Sequence, residues 1–103
     1  LYKMPNIVLM EKFGVESDED EAMLRWVLKD SDGRFMKWAM RAIALWENET
    51  YIEPVVHIHG RNDKIILSEN ITADEWIEDG GHMMIYNRAD IVTRFIEREI
   101  ELL

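Results

Sequence analysis

The sequence predicts an α/β fold: a helical segment over residues 1–50, then two parallel strands and a closing helix over residues 51–103. Three observations carry this. Phe35, Trp38, Ala39, Ala42, Ile43 and Trp46 follow the helical period within residues 34–48. A short apolar run, residues 55–59, and a second strand candidate, residues 74–77, each lead into a glycine turn, and neither shows clean polar–apolar alternation, as is usual for strands covered on both faces. They lie about 13 residues apart, which suits a parallel crossover better than a hairpin.

Taken in order, residues 5–13 form a short helix, with Pro5 near its first turn and Gly14 just past its end. Nearly every position in it is apolar, so it needs cover on more than one side. Ser17 caps a second helix running to about Lys29, and the acids of residues 16–21 suit its positive end as a solvated helix start. Asp18 with Glu21 is an alternative capping pair. Met23, Trp26 and Val27, flanked by Leu24 and Leu28, give that helix a broad apolar stripe. Asp30, Ser31, Asp32 and Gly33 break it.

The third helix, residues 34–48, leaves only Lys37 and Arg41 as a thin polar line. Its two tryptophans read as core, with a lid over an apolar pocket as the other use of the same pattern. Pro54 and Gly60 bracket the first strand, which reads as buried; residues 60–63 turn, residues 64–67 are briefly extended, and Gly80-Gly81 ends the second strand. Asn87 caps a last helix over residues 88–103, with Val92, Phe95, Ile96, Ile100 and Leu103 facing inward and Asp90 paired with Arg94.

Composition bounds what such a chain does. At 103 residues it is one domain or a piece of one, and a net charge of −9 repels phosphates, which argues against a nucleic-acid partner. The absence of cysteine removes disulfides and thiolate metal sites and is compatible with the cytoplasm. No apolar run approaches the roughly 20 residues of a membrane span, so no membrane partner is expected. Two parallel strands do not make a stable sheet alone, because each leaves an edge unpaired. The economical expectation is that further strands lie beside them in a longer parent; the exposed edge and the apolar helices otherwise offer surfaces for self-association.

The chemistry concentrates at the ends of the two strands. Asp63 follows the first strand across Gly60, and His82 follows the second across Gly80-Gly81. A carboxylate that holds an imidazole in one tautomer makes it a general base and stabilises the imidazolium formed during attack. Glycine beside each allows the sharp chain exit that this geometry needs.

Residues Val55-Val56-His57-Ile58-His59-Gly60-Arg61-Asn62-Asp63 resemble the acid strand of the α/β-hydrolases: an apolar strand, His-Gly, two residues, then the catalytic Asp. Asp79-Gly80-Gly81-His82-Met83-Met84 resembles their histidine loop, and the helix after it is similar to the helix that closes that fold. The 19-residue step from Asp63 to His82 is short for the superfamily and suits compact bacterial members. Residues from Phe13-Gly14 to Trp46, including Phe35-Met36-Lys37-Trp38-Ala39, are similar to the helical insertion before the acid strand in those members. The resemblance spans nearly the whole chain but only the C-terminal half of the fold. It implies a Ser–Asp–His hydrolase of ester-like bonds, with His82 as general base and acid, Asp63 as orienting carboxylate, no cofactor and no metal.

Two departures stand out within the matched motifs. Asp79 replaces the first glycine of a common Gly-Gly-Gly-His and brings an extra carboxylate toward His82, and Ser68 stands where proline is common. The nucleophile is missing. Ser17, Ser31 and Ser68 are the only serines, and none sits in Gly-x-Ser-x-Gly; Ser17 reads as a cap, Ser31 as a turn residue, and Ser68 follows the acid. The oxyanion-hole loop is missing too. The expectation is an inactive C-terminal part, whose complete parent would act on a small ester-like substrate with an apolar acyl group.

Two other readings compete. His57 and His59 are two apart on a strand with Asp63 near, a possible start of a metal site; the plainer reading packs His57 in the sheet and lets His59 bond backbone to hold the turn before Asp63. The second is a stand-alone, non-catalytic acidic interaction module, whose seven methionines give an adaptable apolar surface.

Overall fold

The structure, a computed structural model, describes residues 7–50 and 52–103. The expected helix start at Pro5 and the first residue of the expected strand region, Tyr51, lie outside them. The chain runs α1 (Ile7–Phe13), α2 (Asp18–Asp30), α3 (Gly33–Ala44), β1 (Ile58–Gly60), a 3-10 turn (Ser68–Asn70), β2 (Glu75–Ile77), α4 (Met84–Asn87) and α5 (Ala89–Glu101). It is a mixed α/β arrangement with a two-stranded parallel sheet, in register Ile58 with Glu75, His59 with Trp76 and Gly60 with Ile77.

The start of α2 follows from local chemistry. Ser17 is extended, and its Oγ accepts from the Asp20 amide at 3.1 Å; Asp20 reaches back to accept from the Glu16 amide at 3.0 Å. Asp20 also accepts from the Asn87 side-chain amide at 2.8 Å and is buried, so one member of the acidic run is not solvated but ties α2 to α4. The break after α2 is two residues long. Ser31 closes α2, and Asp32 opens α3 by accepting from the Arg34 and Phe35 amides at 2.8 and 3.2 Å. At its far end α3 stops at Ala44, short of the expected Asn48. Asn48 bonds both the amide and the hydroxyl of Thr50, a local turn that competes with helix.

The core is centred on Leu24 and Leu28 of α2 and Met83 of the histidine loop, with Phe13, Met10, Val15, Met23 and Tyr86 packed around them. Of the broad stripe expected on α2, Leu24 and Leu28 are buried one turn apart in line with Asp20, and Met23 packs beside them, but Trp26 and Val27 are exposed. What covers α2 is α1 and the turn at Met83, and these sit over only that line. Cover of α1 is one-sided in turn: Ile7 and Val8 are exposed.

The expectation that the α3 tryptophans are core is corrected. No residue of α3 is buried; Phe35, Trp38 and, just beyond the helix, Trp46 are 59, 64 and 68% exposed. The inward face of α5 is likewise realised only at Val92 and Phe95, while Ile96, Ile100 and Leu103 are exposed. The reason is size. A three-residue strand spans about 10 Å, half the roughly 20 Å of a 13-residue helix. The Asp90–Arg94 pair forms at 3.8 Å on the exposed side.

The first strand is shorter than expected and Val55 and Val56 are exposed rather than buried, because pairing starts only where the His57 carbonyl accepts from the Asp74 and Glu75 amides. It continues past the strands: the Arg61 amide donates to Ile77 O and the Asn62 amide to Gly80 O, each at 2.9 Å. A Cβ on Gly60 would run into the Gly80 carbonyl, so glycine is what lets the two turns meet. No helix of the described residues is long and apolar enough to cross a membrane.

Candidate functional site

Asp63 and His82 come together at the carboxyl ends of the strands. Asp63 begins a turn whose amides it holds itself: Oδ1 accepts from the Ile65 and Ile66 amides at 2.8 and 2.9 Å. Residues 64–67 are consequently turn rather than the extended piece expected. Oδ2 lies 3.1 Å from His82 Nδ1. A carboxylate only accepts, so Nδ1 carries the proton and Nε2 of the neutral ring has the lone pair. Asp63 is 8% exposed. Burial, the largest single influence on its carboxyl, raises the pKa, but the Ile66 and Ile65 amides and then the His82 bond and charge outweigh it, leaving the pKa below the ordinary value.

His82 is held from the other side by α1. The Phe13 ring meets it edge-on with centroids 5.4 Å apart, and the Met83 amide donates to Phe13 O at 3.1 Å. Gly14 turns the chain there with φ +79°, and a Cβ would lie 3.2 Å from Gly81 Cα and from the His82 backbone nitrogen. The imidazole is 31% exposed, and among the described residues nothing hydrogen-bonds Nε2.

His59 is buried and its Nε2 donates to the Ile66 carbonyl at 2.9 Å, so it holds the turn after Asp63 rather than the one before. Half-buried, His57 directly precedes β1 and places Nε2 3.3 Å from His59 Nδ1. Among the described residues, no group of three or more His, Cys, Asp or Glu is arranged to hold a metal ion. Asp79 is taken by Arg88, whose guanidinium also grips Glu16 at 2.7 and 3.0 Å. The Arg88 hydrogen bond and charge hold the Asp79 carboxyl below its usual pKa, and the bonds to Glu16 and Asp79 push the Arg88 guanidinium up. The carboxylate expected beside His82 is thus neutralised by a cation.

None of the three serines bonds to His82. Ser17 caps α2, the Ser31 hydroxyl donates to Val27 O at 2.8 Å, and Ser68 opens the 3-10 turn. A concavity of about 970 Å³, bounded by Glu53, Pro54, Val55, His57, Thr72 and Asp74, opens at the amino ends of the strands, away from the Asp63–His82 pair. A smaller one of about 270 Å³ lies along the Asp63 turn between Arg61 and Glu69. Sequence reading missed Phe13 as a wall for His82 and Arg88 as a clamp. The first is signalled only by Gly14 beside it; the second has no local signal, since its partner Glu16 is 72 residues away. No family model, curated protein or solved structure matches the chain.

Proposed function

We propose that Asp63 and His82 are the orienting carboxylate and the general base and acid of a Ser–Asp–His hydrolytic triad, and that the chain is the C-terminal part of an α/β-hydrolase. One observation carries the reading: a buried, ionised Asp63 accepts from His82 Nδ1 at 3.1 Å while, among the described residues, nothing hydrogen-bonds Nε2. Parallel strands presenting both groups at their carboxyl ends support it.

In such a site Nε2 takes the proton of a serine hydroxyl as its oxygen bonds the ester carbonyl carbon. The imidazolium, stabilised by Asp63, returns that proton to the departing alkoxide, and the cycle repeats with water to release the acid. The serine and the oxyanion-hole amides come from residues outside these 103. The exposed aromatic face of α3 suits a lid over an apolar acyl group.

By this reading the 103 residues alone do not turn over a nitrophenyl ester. The test is the reading frame upstream of the Leu1 codon. It is expected to encode Gly-x-Ser-x-Gly, and in that longer chain Asp63→Asn is expected to lower turnover about ten-thousand-fold, as loss of the orienting acid does elsewhere. A stop codon directly upstream, or full turnover by the Asp63→Asn and His82→Ala variants, overturns it. The second reading, a non-catalytic interaction module, is favoured by the same uncovered α3 face, and the upstream frame separates the two.

A further inference from the structure

We infer that His59 is a positioning residue for the acid–base pair: it pins the carbonyl of Ile66, the residue whose amide holds one oxygen of Asp63, and points its own Nε2 proton away from the other. The inference rests on reading Asp63 and His82 as that pair. Four hydrogen bonds form one continuous chain. His57 Nε2 donates to His59 Nδ1 at 3.3 Å, His59 Nε2 to Ile66 O at 2.9 Å, the Ile66 amide to Asp63 Oδ1 at 2.9 Å, and His82 Nδ1 to Asp63 Oδ2 at 3.1 Å.

The tautomers follow from the fixed acceptors. A carbonyl only accepts, so His59 carries its proton on Nε2 and is left with an acceptor at Nδ1, which matches a donor on His57. The ring cannot turn over without losing both bonds, and it is boxed in by edge contacts to His57 and Trp76 with centroids 5.3 and 5.7 Å away.

His59 Nε2 also lies 3.6 Å from Asp63 Oδ2, close enough to compete with His82 for it. The shorter bond to Ile66 O commits the proton elsewhere and leaves the Oδ2 lone pair to His82. Because Ile66 gives its amide to Oδ1 and its carbonyl to His59, a shift of the imidazole would rotate the carboxylate that orients His82.

Nitrogen-15 imidazole spectra of the 103-residue chain test this without turnover. His59 is expected as the Nε2–H tautomer and His82 as the Nδ1–H tautomer with a slowly exchanging proton. Gln reaches the Nε2 position of histidine and Asn does not. His59→Asn is expected to exchange the His82 proton about fivefold faster than His59→Gln, the ratio that one ordinary hydrogen bond supports. His59→Leu, which keeps bulk but has no donor, should behave like Asn if it folds. Finding His59 in the Nδ1–H tautomer in the unsubstituted chain overturns the inference, whatever the variants do. Equal exchange in the Asn and Gln variants overturns it as well. A missing nucleophile in the longer chain would remove the hydrolase reading and leave these spectra unchanged, so the two failures are distinguishable.

Discussion

Replacing Asp63 by Asn keeps the shape of the side chain and changes one oxygen into a donor. With its remaining oxygen on the Ile65 and Ile66 amides, 2.8 and 2.9 Å away, the new amide nitrogen faces the proton on His82 Nδ1. Either the bond is lost or His82 changes tautomer and gives up the lone pair at Nε2. A hydrogen bond to a charged group contributes about 1.5–3 kcal/mol, and the two amides now meet a neutral oxygen, so the loss at neutral pH is about 2–4 kcal/mol. That is a large share of the stability of a small domain. The pH dependence fixes the cause. The folded-state pKa of Asp63 is depressed, so its contribution is fully present above the ordinary value of 3.8 and is lost as pH falls through the lower folded value. Asn does not titrate. Urea denaturation of both proteins, followed by circular dichroism from neutral pH downward, should show a gap that narrows below pH 3.8. Coincident midpoints at neutral pH, or a gap that stays constant on acidification, would refute the argument.

Three further outcomes are expected. Gly60→Ala drives a Cβ into the Gly80 carbonyl and should cost about 1–3 kcal/mol by overpacking, read as a lower urea midpoint together with faster hydrogen exchange of the Asn62 amide that bonds Gly80. Asn87→Leu removes the donor to buried Asp20 and should destabilise the chain by about 1.5–3 kcal/mol, far more than an ordinary surface substitution; a thermal melt matching the parent would disprove it. Trp38 and Trp46 should be quenched freely by acrylamide in dilute solution, and the quenching should fall with protein concentration if copies associate through the α3 face.

Local chemistry was legible wherever a residue acts on its own neighbours. Ser17 caps α2, Asp32 halts one helix and starts the next, and glycines release Asp63 and His82 from the strand ends. The same reasoning erred at Asn87, expected as the cap of α5. The structure gives its amide to Gly14 O and Asp20 and leaves α5 without a side-chain cap. Asn87 is chemically able to do either, and only the arrival of residues from the other end of the chain decides. The apolar stripes of α2, α3 and α5 show the converse limit, because periodicity states which side could be buried but not whether anything lies against it.

By itself the sequence determined the order of the main elements, three helices, two strands and a closing helix, though not the short α4 or the 3-10 turn; it also determined the pairing type implied by a long link between two strands, and the presence of a carboxylate and an imidazole at glycine exits. These are properties of spacing and backbone freedom that act over a few residues. Tertiary structure alone decided that Asp63 Oδ2 meets His82 Nδ1 and not His59, that Asp79 is neutralised by Arg88, and that Phe13 walls the imidazole. Each is a choice among competent partners, as between His82 at 3.1 Å and His59 at 3.6 Å from Asp63 Oδ2, and it is settled by how separate elements pack rather than by a local pattern.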